Sequence, residues 1–578
     1  MADYKQEYEL WLNDPYFNQA TREQLAAISG QEEEIFDRFY QNLSFGTAGL
    51  RGVLGAGTNR MNEYTVAQAA EGFARYLDTL GPEAAARGVA ICYDSRHRSR
   101  EFAEISAAIL AAHGIRSYFM DELRPVPVLS FTVRHLNCIG GIMVTASHNP
   151  AKYNGYKVYG EDGGQMPPEA ADVVAAEMAK ITDYRSLQWS DLDEASATGL
   201  INVIGPEIDK AYSDMLKKLS ISLDSVARHK DMKIVYTPLH GAGNKPVRRI
   251  LKEIGFENVL VVTEQEQPDG AFPTVAFPNP EERSALQMAI DLATQEEASL
   301  VIATDPDSDR TGLAVRKPDG EYAVMTGNQI GILLLDYILS SRSARGELPE
   351  KSFVVTTIVS SRMVKKICDH YGVELFITLT GFKFIAEQIK LHDEDGDMHF
   401  QFGFEESFGY LAGRDVRDKD AVVASMLLAE LAAVAADEGM TLYDRMQKIY
   451  ETYGYAAEKT ISVMAEGAEG QRNIAKAMTT LRAEKNAVIA GIPVKYINDY
   501  ETRERLDTAS GEVTPIDTTN SNVLLYELDG YDWMCVRPSG TEPKIKVYFG
   551  CYAESQTEAE TELNSIRESF LGYVKSLL

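Results

Sequence analysis

Basic residues are in short supply in this chain of 578 residues: 57 Lys and Arg stand against 86 Asp and Glu, a formal net charge of −29. A surface this acidic repels nucleic-acid phosphate and anionic lipid, whose capture needs a basic face that releases counterions. Nucleic acid and membrane are therefore not expected partners, and any anionic substrate must be held by a local cluster of cations. Cysteine is also scarce. The five thiols, Cys92, Cys138, Cys368, Cys535 and Cys551, form no Cys-x-x-Cys pair, which argues against a thiolate zinc site or dithiol chemistry and suits isolated buried thiols in a reducing compartment. A long hydrophobic run is missing: the most apolar stretch, 421–436, is interrupted by Glu430 and falls short of the roughly 20 residues that span a bilayer. The start, Met1-Ala2-Asp3-Tyr4-Lys5, has no basic segment followed by an apolar one, so a soluble cytoplasmic protein is expected. Low-complexity tracts, a long linker and a short fixed repeat are lacking too, which argues against a solenoid.

Ordinary globular composition remains, 45% hydrophobic and 25% charged, enough to bury sizeable cores, and the length suggests about four domains. One pattern recurs along it. A short apolar run ends abruptly in a loop dense with polar groups, and a helical stretch often follows. Gly141–Val144 runs into Thr145-Ala146-Ser147-His148-Asn149-Pro150, Leu300–Ala303 into Thr304-Asp305-Pro306-Asp307-Ser308-Asp309-Arg310, and Phe376–Leu379 into Thr380-Gly381-Phe382-Lys383. Buried strands alternating with helices predict α/β layers, whose ligands bind beyond the carboxyl ends of the strands. Near the C-terminus, 531–536 and 544–549 flank a Pro/Gly-rich loop and predict two strands of a smaller α+β domain.

Asp305, Asp307 and Asp309, at alternate positions on a loop leaving a buried strand, can turn three hard oxygen ligands to one point, which favours Mg²⁺, Mn²⁺ or Ca²⁺ over zinc. Arg310 and Arg316 stand where an EF-hand needs Gly and Glu, so that motif fails. Ser147 lacks the Gly-x-Ser-x-Gly setting of an acyl-enzyme serine, but a serine beside a metal can carry a phosphoryl group. Glu405 and Ser407 suit sugar hydroxyls, and Arg537, Ser539, Gly540 and Thr541 offer an arginine, hydroxyls and backbone N–H groups that suit phosphate. Arg51 lies among the glycines of 46–52. Taken singly, the serine loop and the loops at 403–407, 537–544 and 45–52 read equally well as polar turns, whereas the aspartate loop reads first as a ligand set. Gly55-Ala56-Gly57 and Gly241-Ala242-Gly243 lack the spacing of dinucleotide and P-loop motifs, so no nucleotide site is expected.

In this order, the segments 145–150, 305–310, 403–407 and 537–541 together resemble the α-D-phosphohexomutase family, and within it the branch of phosphoglucomutases, phosphopentomutases and sugar-bisphosphate synthases. The resemblance implies three similar α/β domains with mixed sheets plus a smaller C-terminal α+β domain around a central cleft, with boundaries expected at 1–213, 214–330, 331–455 and 456–578. It implies a phosphorylated Ser147, a Mg²⁺ held by that group with Asp305, Asp307 and Asp309, a sugar loop at Glu405 and Ser407, and a phosphate loop at Arg537, Ser539, Gly540 and Thr541. Arg51, Arg310, Thr380 and Lys419 match further substrate-binding positions. The expected reaction interconverts glucose 1-phosphate and glucose 6-phosphate through glucose 1,6-bisphosphate. His148 and Lys157 both remain candidates for the proton transfer. Phosphopentomutase, phosphomannomutase and a non-catalytic sugar-phosphate binder are the alternatives, and Phe408 after Ser407, where some members carry His, argues against the mannose-handling branch. Either a monomer or a dimer is compatible with the sequence.

Overall fold

A computed structural model of the chain describes residues 4–46, 49–465, 467–539 and 544–578. It divides into two compact units: Met1–Gly327 with Ala386–Phe402 and Ser407–Leu442, and Asn328–Ile385 with Gly403–Glu406 and Tyr443–Leu578.

In the first unit a six-stranded mixed sheet runs in the order Gly49–Val53, Tyr153–Tyr159, Gly140–Val144, Val89–Tyr93, Ser117–Met120, Ile201–Ile204. The last four strands are mutually parallel, and Tyr153–Tyr159 is antiparallel to both neighbours. Strands 89–93 and 140–144 are buried at every residue, as expected where helices cover both faces. One of these helices, Glu63–Thr79, begins in a capping box: the Asn62 side chain accepts from the Tyr64 and Thr65 N–H groups while Thr65 Oγ1 accepts from Asn62 N, satisfying donors a helix start leaves open. Its buried face, including Phe73 and Leu77, joins Ile142 and Val144 in the core.

His113 ends the neighbouring helix Ser99–Ala112 and reaches Glu71 at 3.0 Å and Asp78 at 2.7 Å. These contacts, that to Glu71 foremost, raise the imidazole pKa above its ordinary 6.5. The folded state thus binds the proton more tightly, so the stabilisation is full below about pH 6.5 and fades as pH rises through the raised value. His113→Gln is expected to lose about 1 kcal/mol at pH 6, the scale of a partly exposed ion pair, and much less at pH 9, read as thermal midpoints at the two pH values. An equal loss at both would refute the linkage.

A second mixed sheet of this unit orders Tyr322–Val324, Thr311–Arg316, Leu300–Thr304, Ile234–Thr237 and Val259–Val261. Three N-terminal helices, Tyr4–Asn13, Gln19–Ala27 and Glu32–Phe39, build a separate core around Trp11, stacked on Phe17 at 4.3 Å between ring centroids. The apolar stretch from 421 forms the helix Ala421–Asp437, buried along most of its length. Its interrupting Glu430 is fully buried and accepts hydrogen bonds from the Ile221 and Ser222 N–H groups. Among the described residues no helix is long and apolar enough to cross a membrane.

In the second unit Ser352–Thr357 pairs in parallel with Glu374–Thr378. The expectation of a buried strand at 376–379 needs correction: Ile377 is 46% exposed, because Glu374–Thr378 is an edge strand. The C-terminal region is larger than two strands. Seven antiparallel strands order as Tyr455–Met464, Lys544–Ala553, Trp533–Pro538, Leu524–Glu527, Tyr496–Asp499, Glu504–Asp507 and Val513–Pro515, and the helices Gly467–Ala483 and Gln556–Leu577 lie against them.

Candidate active site

Ser147 lies in the loop leaving the buried strand Gly140–Val144. Its φ of 51° is left-handed, a conformation that costs a non-glycine residue about 1 kcal/mol or more. The close approach of the next strand shapes this turn. At Gly155 a Cβ would stand 2.4 Å from the Thr145 carbonyl oxygen, so only glycine lets the two backbones meet. Ser147 is 4% exposed, and its hydroxyl donates to Asp305 Oδ2 at 2.8 Å. His148 Nδ1 is 3.2 Å from the same hydroxyl.

Asp305 to Arg310 connect the antiparallel strands Leu300–Thr304 and Thr311–Arg316. Asp305 Oδ1 accepts from the N–H groups of Asp309 at 3.1 Å and Arg310 at 3.0 Å, which curls the loop, and Ser308 takes a φ of 50°. Val126 N donates to the Asp307 carbonyl and Ala242 N to that of Pro306. The segment Gly241-Ala242-Gly243, rejected as a nucleotide motif, is thus a clasp for this loop: a Cβ would stand 2.5 Å from Pro306 Cα at Gly241 and 2.6 Å from Ser308 Oγ at Gly243.

Cations surround the acidic loop. Lys157, opposite Met143 across the strand pair, places Nζ 2.9 Å from Asp307 Oδ2 and 3.6 Å from Asp309 Oδ2. Lys419 Nζ lies 3.3 Å from Asp309 Oδ2 and 3.1 Å from Asp418 Oδ1; it is anchored by the next residue, Asp420, whose side chain caps the helix Ala421–Asp437. Arg310 pairs with Glu281, and Arg51 Nη1 donates to Asn149 Oδ1 at 3.3 Å.

These surroundings set the protonation states. Burial, then the charges of Asp307 and Asp309, push the Asp305 pKa well up. Burial acts the same way on Asp309, but Lys419, Lys157 and Arg310 outweigh it and hold that carboxyl down. Burial opposes the Lys157 ammonium, yet Asp307 and Asp309 keep its pKa above the ordinary lysine value. His148 is held neutral, its pKa lowered by burial and then by Arg310 and Arg51.

The three aspartates each present an oxygen within 4.8 Å of the others, all buried. Asp307 Oδ1 and Asp309 Oδ1 make no hydrogen bond. Buried carboxylate oxygens left open in an all-oxygen cluster, with one member's pKa driven up by burial and then by its neighbours' charges, fit a hard divalent cation such as Mg²⁺.

The remaining expected residues divide between the units. Ser407 belongs to the first and precedes Phe408, at φ 64°. Thr380, Glu405, Arg537 and Ser539 belong to the second. There Glu405 is buried, and Arg537 lies opposite Lys546 across the strand pair. The adjacent Glu406 accepts from Thr357 Oγ1 at 3.2 Å, and burial followed by the Glu405 charge raises its pKa to about 7. Gly540 and Thr541 lie outside the described residues, as do Thr47 and Ala48 of the loop before Arg51. Sequence reasoning missed Asp94 and Arg96, both buried against the Ser147 loop; the one available signal was Asp94-Ser95-Arg96 following the apolar run 89–93.

The phosphoglucomutase/phosphomannomutase family matches in four consecutive segments, its α/β/α domains I, II and III over residues 42–185, 210–320 and 326–453 and its C-terminal domain over 494–567; the chain belongs to this family. Phosphoglucomutases of Staphylococcus saprophyticus and Staphylococcus epidermidis are 36% and 38% identical to it, over 91% and 93% of this chain and 94% of each relative. Among solved structures, a phosphomannomutase of Thermus thermophilus shares the fold with a TM-score of 0.68 at 23% identity, over 93% of this chain and 99% of that one. The phosphoglucomutase parafusin of Paramecium does so with a TM-score of 0.68 at 18% identity, over 93% and 95%.

Proposed function

We propose that this chain is a phosphoglucomutase that interconverts α-D-glucose 1-phosphate and D-glucose 6-phosphate, with Ser147 carrying the transferred phosphoryl group. The observation that carries the reading is the Ser147 hydroxyl, held 2.8 Å from Asp305 inside a buried three-carboxylate cluster flanked by Lys157, Lys419 and Arg310. The relatives named phosphoglucomutase, matched nearly end to end, support glucose as the sugar.

O1 and O6 lie on opposite sides of the sugar ring, so one rigid pose cannot move a phosphate between them. A relay removes that difficulty. The bond between phosphorus and Ser147 Oγ breaks as phosphorus bonds to the free sugar hydroxyl, giving glucose 1,6-bisphosphate and returning Oγ to the cluster. The intermediate turns over, and its other phosphate goes back to Ser147. Asp305, Asp307 and Asp309 would hold Mg²⁺, which when bound supplies charge neutralisation at the transferring oxygens. Arg310, Lys419 and Arg51 would face the transferring phosphate and the sugar. Thr380, Glu405, Ser407, Arg537, Ser539, Gly540 and Thr541 would take sugar hydroxyls and the distal phosphate. The proton of the attacking hydroxyl needs an acceptor. His148, with Nδ1 3.2 Å from Oγ, and Lys157, beside Asp307 and Asp309, are the two candidates for that role. Four domains, 1–213, 214–330, 331–455 and 456–578, form part of this proposal, supported by the order and spacing of the four matched segments, as does a soluble cytoplasmic location.

The test is a coupled assay of glucose 6-phosphate formation from glucose 1-phosphate. Turnover is expected to need Mg²⁺ and to rise with a trace of glucose 1,6-bisphosphate. Comparing kcat/KM for glucose, mannose and ribose 1-phosphates decides the sugar; a preference for mannose or ribose would replace glucose in the reading. No turnover with any of them would leave a sugar-phosphate binder.

A further inference from the structure

We propose that Arg96 is the positioning residue of Ser147, holding the serine's left-handed turn in place from the end of a neighbouring strand; this rests on Ser147 being the phosphoryl carrier. Arg96 follows the strand Val89–Tyr93, which runs parallel to Gly140–Val144 with Tyr93 opposite Val144. Its guanidinium is buried and donates to four carbonyls of the Ser147 loop: Nη2 to those of Ser147 and Asn149, and Nη1 to those of Pro150 and Tyr153 at 3.1 Å each. The Phe272 ring lies 4.9 Å from the guanidinium carbon. Gly270 backs the same segment so closely that a Cβ there would stand 2.4 Å from His97 N.

Asp94 secures the other side of the serine. Arg96 Nε lies 3.3 Å from Asp94 Oδ2, the same oxygen accepts from Thr145 Oγ1 at 2.6 Å, and Thr145 Oγ1 accepts from Ser147 N at 2.8 Å. The N–H and the C=O of Ser147 are therefore both tied to one buried ion pair, while Oγ is left to Asp305 and His148. Placement and chemistry of the serine are assigned to different residues. Arginine suits this task because its planar fork presents five donors in fixed directions; a lysine ammonium is a single point that cannot span four carbonyls.

Loss of the fork should displace Ser147 without touching the groups that would hold sugar and distal phosphate. Arg96→Lys is expected to lower kcat about 100-fold, the cost of roughly 1 Å of misplacement, with KM for glucose 1-phosphate changed less than about threefold on the same ground. Transfer of labelled phosphate from glucose 1,6-bisphosphate to Ser147 should slow in step with kcat. Binding of Mn²⁺ to the substrate-free, unphosphorylated protein should stay at the wild-type value, because Ser147 then carries no phosphoryl ligand and the aspartate loop keeps its own partners. Thr145→Val, which breaks the link to Ser147 N, should show the same split in a weaker form. Wild-type kcat in a folded Arg96→Lys protein would overturn the proposal, as would a parallel loss of Mn²⁺ binding. If Arg96→Lys does not fold, Thr145→Val decides: a lowered kcat at unchanged KM supports the placement, and a wild-type kcat overturns it. A wild-type chain that takes up no label fails the relay itself, and the inference with it.

Discussion

Ser147→Ala is expected to lower kcat for glucose 1-phosphate by at least about four orders of magnitude, because a relay without its nucleophile has no second route for the phosphoryl group. Alanine at φ 51° meets the same steric cost as serine, and the N–H and C=O that link this residue to Thr145 and Arg96 are unchanged. The fold should therefore survive, with a thermal midpoint close to that of the wild type. Intact-mass measurement separates loss of chemistry from loss of structure. Wild-type protein treated with glucose 1,6-bisphosphate should gain about 80 Da, one phosphoryl group, and the variant should gain nothing. Wild-type turnover in Ser147→Ala would refute the relay.

The second large effect is expected at the acidic loop. Asp307→Asn keeps an oxygen at the cluster but removes one of its negative charges, and ligand charge is what sets the affinity of oxygen sites for hard divalent ions. The Mg²⁺ dissociation constant, measured calorimetrically, should rise by at least about 10- to 100-fold. The substitution also takes from Lys157 its nearest partner, at 2.9 Å, and leaves Asp309 at 3.6 Å. Breaking a buried pair outright costs about 3–5 kcal/mol, and Asp309 should spare the variant part of that loss. Unchanged Mg²⁺ affinity would remove Asp307 from the ligand set.

Both experiments concern residues that were legible in the sequence, and the reason is local. Ser147 and the aspartates sit where an apolar run gives way to polar residues, and each group lies within one loop. The strands 140–144 and 300–304 were readable for the same reason. What depends on distant pairing was not. Gly241 and Gly243 look like a failed phosphate motif until Pro306 and Ser308 are seen against them. Arg96 serves carbonyls more than fifty positions away, which no spacing rule reaches. The strand at 374–378 reads as apolar, yet its place at a sheet edge leaves Ile377 exposed. Four of the seven C-terminal strands are only three or four residues long, and pairing across the sheet defines them rather than composition. Glu430 appeared only as an interruption of an apolar run, whereas its carboxylate receives the backbone N–H groups of Ile221 and Ser222.

Ser147, Ser308 and Phe408 share left-handed backbone angles that glycine would adopt with less strain. For an engineer raising heat resistance, this sets stability against catalysis at Ser147. Glycine there would relieve about 1 kcal/mol while deleting the hydroxyl proposed to carry the phosphoryl group. A mutant library sorted only on melting temperature would accumulate inactive clones at that position, so Ser147 should be held fixed in any such search.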